Sequence, residues 1–282
     1  EDSNNPIHDK EGNFLYKDGK WAKQILALQQ EDGKWGWFHS LGQLSGASLT
    51  TEQALGRLEI LGYARDDACI QKALQYMHRC LAGEIRIPDR EEKVQDWPVF
   101  CRMILAARIR RFTKEDSLAN QVASEWAKVI EAAFAKGTFW AESYEKAYCD
   151  MFNTNKRKGR IIHYANYYPV SLLAGELDSN TESAFLDDLL QQPNGIYYVY
   201  ERCINTPPEV FQSKQTNRYL TALELLGRYS GAKQKLQFAV HWIMENRMEN
   251  GMWDLGQTVN DKTVFPLSDD WRTKEKRQKD CR

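Results

Sequence analysis

Gln29-Gln30-Glu31-Asp32-Gly33-Lys34-Trp35 is the stretch that decides the fold. It recurs as Gln191-Gln192-Pro193-Asn194-Gly195-Ile196-Tyr197 and again as Arg247-Met248-Glu249-Asn250-Gly251-Met252-Trp253. The shared core is Asp or Asn, then Gly, any residue, and Trp or Tyr. Asp or Asn followed by Gly suits a left-handed stop at a helix C-terminus. The aromatic two residues on can fold back and pack between neighbouring helices.

The segment after each stop repeats as well. Thr50-Thr51-Glu52-Gln53-Ala54-Leu55 opens 15 residues after Trp35, and Gln215-Thr216-Asn217-Arg218-Tyr219-Leu220 opens 18 after Tyr197. Ser268-Asp269-Asp270-Trp271 opens 15 after Trp253. The first two helices end alike, as Leu58-Glu59-Ile60-Leu61-Gly62 and Leu223-Glu224-Leu225-Leu226-Gly227. Thr50 with Gln53 fits a capping box.

Between the stops the period is helical. Ile70, Ala73, Leu74, Met77 and Leu81 fall on one helix face, as do Leu118, Val122, Trp126, Val129, Ile130 and Ala133. Leu236, Ala239, Val240 and Ile243 repeat the pattern. Only Ile196 to Tyr200 has strand character. More apolar helices start at Asp96-Trp97-Pro98-Val99 and at Tyr167-Tyr168-Pro169-Val170, each with Pro in the first turn, and Trp140 to Phe152 is taken as a fifth. The expected fold is all-α: about six hairpins of an outer amphipathic and an inner apolar helix, roughly 40–50 residues apart, in one domain spanning 1–282. Tetratricopeptide repeats of about 34 residues do not match that spacing.

Composition excludes other classes. The 282 residues carry 38 Lys and Arg against 39 Asp and Glu, a net charge of −1, so nothing pulls the chain generally toward nucleic acid or anionic membrane. Aromatics at 12% with only 8 Pro and 17 Gly exclude disorder. The 6 Cys include no Cys-x-x-Cys pair, and they read as small buried side chains in a reducing compartment. No apolar run is long enough for a transmembrane segment. A cytoplasmic location is the expectation. The start at Glu1 and the stop at Asp280-Cys281-Arg282 read as processing boundaries, which leaves a removed signal peptide open.

Leu26 to Trp35, with its Leu-x-x-x-Gln-x-x-Gly-x-Trp-like pattern, resembles the QW motif of squalene and terpenoid cyclases. Related motifs occur in the β subunits of protein prenyltransferases. The other two copies depart from it, with Asn194 and Tyr197 in the second and Arg247 near the Gln place in the third. The resemblance implies an α/α-toroid, an inner ring of helices inside an outer one. It also implies a central cavity for an elongated apolar or aromatic-stacking ligand. The catalytic motifs of those families are missing. The nearest strings to the cyclase Asp-x-Asp-Asp acid are Asp269-Asp270, Asp66-Asp67 and Asp187-Asp188, each without the first Asp. Asp66 and Asp67 read as a helix cap, and Asp187 and Asp188 as solvated. Asp269 and Asp270 open an inner helix, where the dipole lowers carboxylate proton affinity. Asp67-Ala68-Cys69 has the spacing of part of the prenyltransferase zinc site but lies on an outer helix, so no metal and no cofactor are expected.

Candidate site residues lie at the inner-helix starts. Glu52, Asp96, Trp97, Arg218, Tyr219, Asp270 and Trp271 can rim one mouth of a cavity. First-turn carboxylates such as Glu52 also serve helix dipoles. His163-Tyr164-Ala165-Asn166-Tyr167-Tyr168 offers a base, donors and an aromatic wall, and a His163 and Tyr168 pair is suited to proton abstraction. His39 ends a loop that runs toward the same ring. Three functions stand as expectations. The first is a cyclase-like or prenyl-processing toroid, the second a carbohydrate-active lyase or hydrolase on a toroid. The third is a non-catalytic interaction protein. The expected partner is a small molecule, isoprenoid-like or a sugar.

Overall fold

A computed structural model describes residues 7–8, 14–39, 49–91, 95–154, 161–256, 273–275 and 277. Two-residue strands β1 (Ile7–His8) and β2 (Phe14–Leu15) pair antiparallel. The rest of the regular structure described is helical. The helices are α1 (Lys20–Ala27), α2 (Thr51–Ile60), α3 (Ala68–Leu81), α4 (Trp97–Phe112), α5 (Ser117–Phe134) and α6 (Ala141–Phe152). Then come α7 (Tyr167–Leu173), α8 (Ser179–Gln191), α9 (Lys214–Leu226), α10 (Ala232–Lys235) and α11 (Gln237–Glu245). The protein is all-α, and no helix among the described residues is long and apolar enough to cross a membrane.

The starts follow from the sequence. The Thr50 side chain accepts from Gln53 N, and the Gln53 side chain accepts from Thr50 N, closing the capping box on α2. Asp96, Asp116, Asn166, Asp178 and Ser213 cap α4, α5, α7, α8 and α9 with side-chain oxygens. Asp67 occupies the N-cap position of α3, but its carboxylate is taken by Lys17 Nζ (2.7 and 2.8 Å) and Ala64 N (2.7 Å). An ammonium is the stronger partner for a carboxylate that both can reach.

The three stops share one geometry. Gly33, Gly195 and Gly251 have φ of 96°, 55° and 78°. Each glycine N donates to the carbonyl three residues back, on Gln30, Gln192 and Met248. Trp35 Nε1 donates to Ile25 O (2.8 Å) and Trp253 Nε1 to Ile243 O (2.7 Å). Each indole thus adds a second donor to a carbonyl in the last turn of the preceding helix, beside Leu28 N on Ile25 O and Asn246 N on Ile243 O. Gln29 Nε2 donates to Gly33 O and Arg247 Nε to Gly251 O, so Arg247 does the work of the missing Gln. Tyr197 has no indole N–H and is 47% exposed; its backbone N instead donates to Ala165 O (3.0 Å). The strand character of Ile196 to Tyr200 reduces to two isolated bridges, Asn166 to Tyr197 and Ile196 to Tyr200.

These bonds predict a graded effect. Trp35 is buried, so Trp35→Phe loses a buried hydrogen bond and opens a void, a cost of about 2–4 kcal/mol in chemical denaturation. Trp253→Phe, at a half-buried site, is expected to cost about 1 kcal/mol. Equal losses at the two sites would sink this account of the stops.

The amphipathic helices bury one face. Ile70, Ala73 and Met77 on α3 and Val122, Trp126, Val129, Ile130 and Ala133 on α5 are buried, as their spacing requires. On the last expected face, Ala239 is buried but Val240 is 47% exposed. There the chain breaks at Leu236 between α10 and α11. Helix α4 packs against α3, α5 and α7, and α7 also packs against α9. One expectation is corrected. Trp140 to Phe152 does form a helix, but α6 packs along α5 and, instead of being apolar, fully buries only Tyr144 and Tyr148. Glu142, Lys146 and Asp150 keep its other side in water.

The last turns of α4 tie this assembly together. Arg108 Nη2 reaches Glu52 of α2 (3.4 Å). Arg110 bonds the Leu172 carbonyl of α7 (3.3 Å), Asn120 of α5 and Glu176. Arg111 reaches Glu59 of α2 (2.5 Å) and Glu224 of α9 (3.4 Å). Long guanidinium side chains suit this work, since their stems pack while their forks find partners.

Candidate functional site

The residues around Glu52 are brought together by local structure first. The loop after the Gly33 stop turns at Gly36, and its Trp37 and Phe38 carbonyls accept from Thr51 N (2.9 Å) and Glu52 N (3.0 Å). Those are first-turn N–H groups of α2, which lack intrahelical partners. Phe38 N and His39 N donate to the two carboxylate oxygens of Asp89, each at 2.6 Å. His39 is thereby fixed beside the start of α2.

His39 is 1% exposed and lies among rings. Its centroid is 5.2 Å from Phe100, 5.8 Å from Tyr168 and 5.8 Å from Tyr198. Tyr168 and Tyr198 meet at 5.9 Å, and Phe100 meets Tyr168 edge-on at 5.7 Å. Tyr198 holds a φ of 75°, a conformation that a bulky L-residue adopts only under constraint.

The polar heart of the cluster is Glu52. It accepts from the Tyr168 hydroxyl (2.5 Å) and from Arg108. The Arg108 guanidinium also sits 5.9 Å over the Tyr167 ring. Glu52, Arg108 and Tyr168 are all buried. Burial, and next the Glu52 carboxylate, push the Tyr168 phenol well above its ordinary pKa. The phenol is therefore held protonated, as a hydrogen-bond donor to Glu52. Burial pushes the Asp89 carboxyl up against the pull of its two N–H bonds.

The structure gathers some candidates and separates others. Glu52, Tyr167 and Tyr168 meet around Arg108. Half-buried Trp97 joins through Phe100, at 5.8 Å between ring centroids. Asp96 caps α4 through Val99 N. His163 does not pair with Tyr168. It is exposed, stacks on Tyr164 at 4.6 Å, and its Nδ1 accepts from Ala165 N. Tyr164 is buried beneath it and donates to Asp188, which Gln192 also bonds (2.8 Å). Asp188 is thus engaged by a phenol and not simply solvated, while Asp187 is exposed and pairs with Lys235 (2.5 Å). Tyr219 is buried with its hydroxyl on Ile204 O (3.0 Å), against Tyr200 and Trp242, and Arg218 is exposed. Asp269, Asp270 and Trp271 lie outside the described residues.

Sequence reasoning missed Arg108, Asp89 and Tyr198. The signal for Arg108 was available as three Arg within four residues near the end of a helix whose one other charge is Arg102. The other two carried none, since a loop Asp and a strand-like Tyr declare no partners.

An open groove of about 770 Å³ is lined by Tyr200, Arg202, Cys203, Pro207, Val210 and Lys214 among others, and none of the cluster's residues lines it. Tyr200 is two residues from the constrained Tyr198. Among the described residues no group of three or more His, Cys, Asp and Glu is placed to hold a metal ion. Chemically, the cluster offers a proton-donating phenol, an imidazole in ring contact with it, a guanidinium and aromatic walls. Compared with protein-family models, curated proteins and solved structures, the chain matches none.

Proposed function

We propose that the chain is an α/α-toroid of one domain that acts on a carbohydrate, as a lyase of acidic sugars. Its site is the cluster at the starts of α2 and α7, against α4 from Phe100 to Arg108. The toroid is supported by the shared geometry of the three stops. It is also supported by the way α2, α4, α7 and α9 are tied to one another through the Arg side chains of α4.

The observation that carries the reaction is the Tyr168–Glu52–Arg108 network with His39 in contact with Tyr168. A protonated phenol can give its proton to a departing glycosidic oxygen. His39 can take the proton from the carbon next to a uronate carboxyl, and Arg108 can neutralise that carboxylate. One C–H and one C–O bond break and a C=C bond forms, so atoms and protons balance. A hydrolase needs two carboxylates flanking the bond. Here Asp89 is occupied by two backbone N–H groups and Glu52 by Tyr168 and Arg108. An elongated apolar ligand fits less well, because it would strip partners from a buried guanidinium and carboxylate. The cluster is closed, so entry requires movement, and the constrained Tyr198, in ring contact with His39 and Tyr168, is the residue whose release would open it.

The test is release of unsaturated product from polygalacturonate, alginate and hyaluronan, followed by ultraviolet absorbance. Tyr168→Phe and His39→Gln are each expected to lower the rate about 10²- to 10⁴-fold while circular dichroism stays native. No unsaturated product from any of the three polymers, or full activity in Tyr168→Phe, rejects the lyase.

A further inference from the structure

We propose that the ends of α2, α4 and α9 form a second site, independent of the His39–Tyr168 cluster, which holds a small anionic group, phosphate or carboxylate, through Arg111, Lys114 and Arg228. Arg228 carries the inference. It follows α9 by two residues, and its Nη1 is buried with no hydrogen-bond partner. A guanidinium nitrogen buried without an acceptor is costly, and proteins rarely keep one without a use.

The carboxylates nearby are already committed. Glu59 lies 2.5 Å from Arg111, and Glu176 pairs with Arg110. Glu224 is 3.4 Å from Arg111 and its side chain is 68% exposed, so water screens it. Lys114 Nζ donates to Ala174 O (2.6 Å) and is 3.6 Å from the shared Glu176. Four cations, Arg110, Arg111, Lys114 and Arg228, therefore face three carboxylates, one of them in solvent. Helix ends carry partial negative charge, which favours cations there. That effect does not satisfy Arg228 Nη1, which makes no bond to any carbonyl. The pKa directions agree. Arg228 is lowered by burial and then by Arg111, and Lys114 by burial and then by Arg110 and Arg228.

Lys114 and Glu224 are exposed at the edge of this group while Arg228 Nη1 is closed off, so an anion bound at Lys114 meets Arg228 as that side chain turns outward. Arg offers a planar fork that matches phosphate and carboxylate oxygens, and Lys adds a point charge. The ligand class is thus a small molecule with one phosphate or carboxylate group.

Calorimetric titration and melting of the full chain with inorganic phosphate, pyrophosphate or glucuronate, against sodium chloride at matched ionic strength, test it. Binding by the phosphates alone identifies a phosphate-bearing ligand, and binding by glucuronate alone a carboxylate. Either result supports the site. Arg228→Gln is expected to weaken binding about tenfold or more, and Lys114→Gln to weaken it less. Without added anion, Arg228→Gln is expected to melt higher than the parent chain, because it removes an uncompensated charge. No shift beyond sodium chloride for all three anions, or unchanged binding in Arg228→Gln, overturns the proposal. The lyase assay reads the other cluster, so either proposal can fail alone.

Discussion

Gly33→Ala is expected to lose about 3–5 kcal/mol in urea denaturation. Two costs add. A Cβ at Gly33 would lie 2.4 Å from the backbone carbonyl oxygen of Lys72, on α3, and backbone cannot swing aside as a side chain can. The φ of 96° is also unfavourable for any L side chain. Two other stops separate these terms. Gly137 has a φ of 80° and open space around it, so Gly137→Ala should cost about 1 kcal/mol from conformation alone. Gly251 has a φ of 78°, and its Cβ would meet only the flexible end of Arg247 at 3.0 Å, so Gly251→Ala should cost about 1–2 kcal/mol. If Gly33→Ala were no worse than Gly137→Ala, the first stop would not be packed against α3 as described. Gly195→Ala is expected to match or exceed Gly33→Ala, since the new Cβ would lie 2.2 Å from the carbonyl oxygens of both Tyr200 and Arg202.

The same residues show why the helices are legible in the sequence and the site less so. Caps, stops and amphipathic faces are local, and each depends on neighbours within about one turn. Thr50 with Gln53 or Gly33 with Trp35 can therefore be interpreted from a few residues. The Glu52 site depends on partners far along the chain. Tyr168 lies 116 positions away and Arg108 lies 56. Glu52 and Tyr168 are visible as first-turn residues of helices, but their pairing is a property of packing. His163 stands out in the sequence for its Tyr neighbours. The polypeptide turns its ring outward, and His39, from a loop pinned by Asp89, takes the place beside Tyr168. Helix α6 makes a related point. Its start looks like those of the apolar helices, but only two Tyr are buried on it, against ten buried residues on α4.

Arg108→Met is expected to destabilise the chain by about 3–5 kcal/mol, because it leaves the buried Glu52 carboxylate without its cation. Tyr168→Phe removes a neutral donor and should cost less, about 1–2 kcal/mol. The informative variant is the double replacement Glu52→Leu with Arg108→Met. Two charges taken out of water repay little of their desolvation through mutual attraction at 3.4 Å, so an apolar pair of similar volume should recover to within about 1 kcal/mol of the parent chain. A double-mutant cycle then gives a coupling of about 2–4 kcal/mol between the two residues. Recovery would show that the fold does not require this pair and that the apolar helices around it suffice. Uronate cleavage in the double variant completes the logic. A stable chain that no longer cleaves would mean that Glu52 and Arg108 are retained for chemistry at a cost in stability. A double variant as unstable as Arg108→Met alone would make the pair part of the framework, and its position at the centre would then say nothing about a substrate.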